Sequence, residues 1–256
     1  MMYYGLINSI SIPTSSYTAR TSAFATATGI TDVTILGALN TFDLGLISNG
    51  LDSKMYAIYP FVGGTSSTHK YNFINPSNYE ITWSGGITHN SNGVLASVNG
   101  IGQTNFNPTT AGISQNSWSF GLYSRTNSTV QSFDMGSTSS PRSEIDLYVS
   151  GSYIVSNNGG FNVSSALSRT DGFFINSRIT GANFQFYRNG ALFQSFTDAS
   201  TGINNSNLQV ISATSFGGSS DKQEAFSFLG KGLNSTEALT FYNLVQAMQT
   251  TLSRNV

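Results

Sequence analysis

Apolar residues recur at helical spacing near the start of the chain, at alternating spacing through its middle, and at helical spacing again at its end. From Thr18 to Thr28, Ala19, Ala23, Phe24, Ala25 and Ala27 predict a short helix, and Gly29 stands where a left-handed C-cap would stop it. A second helix is predicted from Thr31 or Asp32. Val33, Leu36, Leu39, Phe42 and Leu46 recur at threes and fours along one face, and Gly50 marks the stop. Gly37 and Gly45 each cost that helix up to about 1 kcal/mol, so packing has to hold it. Beyond Asp52 the period becomes two. Strands are predicted at Met55 to Phe61, at Tyr71 and Phe73, and at Tyr79, Ile81 and Trp83. Others follow at Trp118, Phe120 and Leu122, at Ile145, Leu147 and Val149, and at Phe184 and Phe186. Residues 183–188 and 191–196 flank Asn189-Gly190, the pair best suited to a type I′ hairpin turn. At the end, Asn234-Ser-Thr-Glu237 reads as a capping box opening a helix whose one side carries Ala238, Phe241, Tyr242, Val245, Met248 and Leu252.

Many short strands between turn signals predict an all-β fold: a two-sheet antiparallel jelly-roll sandwich with two N-terminal helices and a C-terminal helix docked on it. Residues 1–18, mixed in character and interrupted by Pro13, predict an extended arm, leaving 19–256 as one domain.

Composition narrows the setting. Only 9% of the residues are charged, against roughly 25% in an average soluble domain. Solubility therefore has to come from Ser, Thr, Asn, Gln and Gly, a surface suited to an assembly or to display outside a cell. Eleven Lys and Arg against twelve Asp and Glu leave no footprint for nucleic acid. The absence of cysteine removes disulfides and thiol chemistry. The first residues have no basic stretch of a signal peptide, and no run reaches the roughly 18 apolar residues of a membrane span, so neither export nor membrane insertion is expected.

Several segments, in order, resemble a domain of bacteriophage structural proteins with a laminin-G-like, concanavalin-A-type jelly roll. They are residues 27–32 (ATGITD), Leu39-Asn40, residues 53–64 (SKMYAIYPFVGG), 68–72 (THKYN), 83–89 (WSGGITH) and 123–127 (YSRTN), then 225–227 and 241–246 (FYNLVQ). The resemblance spans residues 24 to 256 and is most specific in 55–64 and in the terminal helix. It implies a virion component, made in the host cytoplasm and carried on a tail fibre, head fibre or capsid decoration. Its implied partners are other virion proteins and host-surface glycans, and it implies a homo-oligomer, a trimer being usual for fibres.

The same fold type houses glycan hydrolases, so the acids require inspection. Glu144-Ile-Asp146-Leu resembles the start of the Glu-x-Asp-x-x-Glu strand motif of one glucanase family, and period two places Glu144, Asp146 and Tyr148 on one face. Val149 stands where that motif needs its second Glu, so the pair of carboxyl groups that a retaining mechanism uses is incomplete and no catalytic residue is assigned. His69 and His89, the two histidines, have no further ligand at metal spacing, and each reads as a structural histidine. Calcium is compatible with the fold type through Asp134, Asp146 and Asp171, but no sequential loop motif supports it, and no metal or cofactor is assigned. For sugar binding the useful side chains are aromatic rings beside hydrogen-bonding groups, which makes Trp83, His89, Tyr123, Arg125 and Asn127 the candidate glycan contacts. The alternation of Trp83 with Tyr79 and Ile81 points more strongly to core packing than to display. The expectation is a non-enzymatic virion protein that assembles and recognises glycan, with a free carbohydrate-binding module as the alternative and a depolymerase behind it.

Overall fold

The computed structural model describes residues 17–97, 99–214 and 219–256. The arm expected over residues 1–18 lies outside the described residues except for Tyr17 and Thr18. Among the described residues the α-helices are α1 (Ala19–Thr28), α2 (Val33–Ser48), the single turn α3 (Ser66–His69) and α4 (Ser235–Thr251). Local chemistry places their ends where the pattern predicts. Thr18 caps α1, and Gly29 closes it at φ 72°. Asp32 Oδ1 accepts the N–H groups of Thr34 and Ile35 at the start of α2. Asn234 and Glu237 form the capping box of α4. No helix among the described residues is long and apolar enough to cross a membrane.

Among the described residues sixteen strands form two sheets. Sheet 1 joins β1 (Met55–Tyr59), β3 (Ile87–Asn90), β4 (Gly93–Ala96), β6 (Trp118–Ser124), β11 (Gly172–Arg178), β12 (Phe184–Arg188), β13 (Ala191–Phe196) and β16 (Gln223–Gly230). Its order is β13-β12-β11-β6-β16-β4-β3, with β1 also paired to β16. Sheet 2 joins β2 (Thr82–Ser84), β5 (Ile101–Gln103), β7 (Met135–Ser137), β8 (Arg142–Val149), β9 (Ser152–Gly159), β10 (Asn162–Ser165), β14 (Gln209–Val210) and β15 (Ser212–Thr214). The order there is β10-β9-β8-β7-β14-β5-β2. Pairing is antiparallel throughout, apart from the parallel contact of β15 with β7. The β12–β13 hairpin turns at Asn189 and Gly190, both at positive φ as type I′ requires.

Two cores share sheet 1. Between the sheets, Trp118, Phe120, Leu122, Phe174, Phe184 and Phe186 meet Met135, Ile145, Leu147, Tyr153 and Val155. On the opposite face of sheet 1, Tyr123, Phe173, Ile175, Phe226 and Phe228 pack under Phe24, Leu39, Phe42, Leu46, Phe241 and Val245 of the three longer helices. Each such side chain contributes about 1.5–3 kcal/mol when fully buried. Gly45 lies where α2 meets α4: a Cβ there would stand 2.4 Å from Leu244 Cδ2. That close approach offsets the helical cost of the glycine.

Two predicted strands differ. Residues 71–73 form no strand, because the Asn72 side chain accepts from Ile58 N–H and the Phe73 N–H binds Ile58 O, so a side chain does part of a ladder's work. The strand expected through Tyr79, Ile81 and Trp83 is confined to Thr82–Ser84, since Tyr79 stands at φ 58°. Val33, expected on the buried face of α2, is 75% exposed as its first residue.

Candidate functional site

The loop 60–70, running from β1 through α3, has a concavity on each side. On one side a cleft of about 650 Å³ is bounded by the α1–α2 turn, Gly63-Gly64 and the end of α4. Gly63 sits at φ 88°, and a Cβ would stand 2.8 Å from Thr68 Oγ1, so only glycine lets the loop pass here. No aromatic ring lines this cleft, and its charged groups are already engaged. Asp32 caps α2. Arg254 gives Nη1 to Phe61 O at 2.8 Å, Nη2 to Pro60 O at 3.0 Å and Nε to Gln249 Oε1 at 2.9 Å. Burial first, and then Arg125, lowers the Arg254 pKa to about 9.

On the other side lies a shallower groove of about 580 Å³, lined by Ser66, Ser67, Lys70, Glu80, Ile81, Thr82, Trp83 and Asn105. Trp83, half-buried on β2, is fixed by an Nε1–H bond to Ser66 O at 3.1 Å. Lys70 pairs with Glu80 at 2.7 Å, a half-exposed ion pair that raises the Lys70 pKa through its hydrogen bond. Asn105 gives Nδ2 to Glu80 O at 2.8 Å and to Thr82 Oγ1 at 3.0 Å. The groove thus combines one oriented indole with a compensated ion pair, an amide and hydroxyls.

Behind Trp83 stand the two histidines. The His89 ring meets the indole edge-on at 4.9 Å and 73°, and His89 Nδ1 lies 3.1 Å from His69 Nδ1. His69 Nε2 accepts the Gly64 N–H at 3.2 Å. A backbone N–H can only donate, so the proton of neutral His69 is on Nδ1, and His89 Nδ1 must be the acceptor. That assignment also opposes a metal between the rings, which would need both Nδ1 lone pairs. Burial, then His89 and Arg254, lowers the His69 pKa to about 3; burial also lowers that of His89.

Of the five candidate glycan contacts, the structure brings Trp83 and His89 together and takes the others elsewhere. Tyr123 is 0% exposed on the helix-covered face of sheet 1, its hydroxyl donating to Gln246 Oε1 at 2.8 Å, so it cannot meet a ligand. Arg125 braces the end of α4 through an Nε–H bond to Arg254 O at 2.8 Å. Asn127 is exposed and accepts the Thr170 N–H. Lys70, Glu80 and Asn105 were not singled out by the sequence pattern: loops and a left-handed Asn105 at φ 56° bring them to Trp83.

The acids of β8 are in a second, closed place. Glu144 and Asp146 do share a face, but both are 0% exposed. Arg142 forks the Glu144 carboxylate at 2.7 and 2.8 Å, and Ser156 Oγ donates to it at 3.1 Å. Beside them Asp134 Oδ2 accepts the Leu147 N–H at 2.7 Å, and its Oδ1 accepts from the Ser132 and Ser220 hydroxyls at 3.0 and 2.5 Å. Lys222 Nζ stands 3.5 Å from Asp134 and 2.8 Å from Asp221. Burial opposes its charge, but the two carboxylates outweigh that and raise its pKa. Asp146 Oδ2 and Glu224 Oε1 are buried without a hydrogen-bond partner among the described residues. Burial, followed by neighbouring carboxylates, pushes both acids well above the usual range. Asp171 is engaged by Arg169 and Arg188, and no group of three or more acids or histidines is arranged for a metal among the described residues.

No family model matches the sequence, and no curated protein matches it. Solved structures do show a likeness. The binding domain of botulinum neurotoxin serotype D is similar at TM-score 0.50 and 14% identity, over 75% of this chain and 52% of that one. Domain 4 of AbnA, a GH43 extracellular arabinanase from Geobacillus stearothermophilus solved in complex with arabinotriose, aligns at TM-score 0.49 and 15% identity. That alignment covers 75% of this chain and 98% of the domain. A mutant Trypanosoma rangeli sialidase displaying trans-sialidase activity aligns at 0.49 and 10%, over 82% of this chain and 39% of the sialidase. The chain therefore spans about half of the toxin domain and well under half of the sialidase. The two sheets of the structure, together with the likeness to the toxin domain, establish the β-sandwich fold, the jelly-roll class that the strand pattern predicts.

Proposed function

We propose that this chain is a non-enzymatic glycan-binding protein of a bacteriophage virion, seated in a fibre, appendage or capsid decoration, and that it holds host-surface sugar in the groove beside Trp83. The observation that carries the sugar-binding reading is the groove itself. A sugar ring offers a C–H face to an indole and a rim of hydroxyls to polar groups. Trp83 supplies the indole; Lys70, Glu80, Asn105 and Thr82 supply donors and acceptors at its border. Since the ion pair is internally compensated, the groove favours a neutral sugar over an acidic one. A sandwich similar to a toxin's binding domain supports a recognition module, although a fold by itself leaves the ligand to be argued from the site.

The non-enzymatic reading is supported by the closure of Glu144 and Asp146, which have no exposed surface through which to meet a substrate. The virion setting is supported by the low charge and by the motif resemblance in residues 53–64 and 241–246. A glycan array probed with the full chain and with Trp83→Ala tests the site. Retention of a neutral glycan that falls by about tenfold or more in the variant is expected, the loss of one good aromatic contact; equal retention by both proteins refutes the groove. Mass-resolved size analysis with and without residues 1–18 tests the assembly role: a defined oligomer that truncation converts to folded monomer is expected, and two monomers would remove the arm as an assembly device. Turnover of host polysaccharide by the wild type, abolished by Glu144→Gln, would overturn the non-enzymatic reading.

A further inference from the structure

Three side chains, one backbone N–H and one backbone carbonyl form a closed circuit around loop 60–70. Gly64 N–H donates to His69 Nε2. His69 Nδ1–H then donates to His89 Nδ1, the His89 ring supports the edge of Trp83, and Trp83 Nε1–H returns to Ser66 O, at the start of the same turn that ends in His69. The circuit ties α3 to β3 of sheet 1 and β2 of sheet 2, and it has one proton arrangement in which every hydrogen bond is made.

We propose that the His69–His89 pair is a proton-sensitive latch on Trp83: with both rings neutral it holds the indole in place, and a proton taken up by His89 releases it. The consequence for ligand binding rests on the groove reading given above. A proton added at His89 Nδ1 sets two N–H donors face to face across 3.1 Å, and His69 cannot reverse its role because Nε2 is committed to Gly64. One ring has to turn, and Trp83 loses its edge partner. The groups that face the pair do not relieve the new charge. His69 is the ring opposite, Phe61 and Trp83 are uncharged, and Arg254, from beyond α4, repels a cation at His69. Lys70 follows His69 directly, but its charge is matched by Glu80. His89, half-buried where His69 is 1% exposed, is the ring open to protons.

Long-range nitrogen–proton NMR of both imidazoles and of the Trp83 indole, followed on the full chain through acidification, tests this. At neutral pH the protons are expected on His69 Nδ1 and His89 Nε2. As pH falls below 6.5, the ordinary histidine value, the His89 signals are expected to move together with the Trp83 indole N–H. His89→Asn keeps an acceptor for His69 but does not titrate, and the indole shift should be lost in it. An Nε2 proton on neutral His69, or an indole shift that persists in His89→Asn, overturns the latch, as does an indole that never moves. A glycan array run above and below pH 6.5 reads the functional arm: retention that falls on acidification in wild type and stays level in His89→Asn supports gating. If no sugar is held at either pH, gating falls with the groove reading, while the coupled imidazole and indole shifts would still establish the latch.

Discussion

Ionisable side chains are gathered around Asp134 and again behind Trp83, and the two places differ in their access to solvent. Around Asp134 and β8, Glu144, Asp146, Glu224 and Lys222 are sealed from water with Arg142 at the border, and most of their polar atoms are spent on each other or on main-chain N–H groups. Around Trp83 the His69–His89 pair, buried at His69 and half-buried at His89, stands directly behind a groove that opens to solvent. Both contain residues whose types suggest chemistry. Access separates them: a fully buried polar network supports the fold, whereas a half-exposed ring backed by a fixed network presents a surface to a ligand.

Asp134 ties the buried network together. Asp134→Ala removes the acceptor of the Leu147 N–H and of two hydroxyls, and it leaves Lys222 with Asp221 as its remaining carboxylate. Breaking a buried pair from one side costs about 3–5 kcal/mol, read as a lower denaturant midpoint at unchanged slope. Glycan retention under folding conditions should stay at the wild-type level. A cost below about 1 kcal/mol would mean that the region is not the tight network its geometry describes.

The two places also answer pH with opposite sign. Asp146 and Glu224 have pKa values raised by burial, so the folded state keeps protons that the unfolded chain releases above 3.8 and 4.5. Their contribution is complete below those values and is lost as pH rises towards the folded ones, at up to about 1.4 kcal/mol per group per pH unit. The histidines have lowered values, so theirs is complete above 6.5 and is lost as pH falls towards the folded values. Unfolding free energies across pH should therefore show Asp146→Asn and Glu224→Gln flattening the decline on the alkaline side of 4.5, and His89→Asn flattening the one on the acid side of 6.5. Identical pH profiles in all three variants and wild type would erase the distinction.

How much of this is visible in the sequence follows from which side chains act locally. The capping residues Asp32 and Asn234, the Gly29 stop and the Asn189-Gly190 turn act within a few residues of themselves, and each appears where the pattern puts it. Strand β11 does not stand out, because Gly172-Phe-Phe-Ile-Asn-Ser-Arg178 is buried on both faces and loses the alternation that marks a one-sided strand. The same holds at the site. Trp83 and His89 are conspicuous as residue types, but the 3.1 Å contact of His89 with His69 depends on β3 meeting α3 across the 61–69 loop. Lys70, Glu80 and Asn105 are ordinary polar residues until the chain folds round Trp83. Tyr123 misled in the reverse way: beside Arg125 and Asn127 it has the composition of a sugar site, while its place in β6 turns it under α4.

Asn127, in that last group, lies on the surface outside both places. Asn127 is exposed, and its one hydrogen bond accepts the Thr170 N–H at 3.0 Å. Asn127→Ala should cost about 1 kcal/mol or less, the net worth of a single solvent-accessible hydrogen bond, and should leave glycan retention and the pH response of the Trp83 indole unchanged. Side-by-side array binding of Asn127→Ala and Trp83→Ala checks this directly. Exposure alone would make Asn127 the better ligand contact of the two. Trp83 is set apart by a ring held at both ends, by Ser66 at the indole nitrogen and by His89 at its edge. Loss of retention in Asn127→Ala with none in Trp83→Ala would move the binding surface to the end of β6 and leave the histidine pair as a purely structural tie.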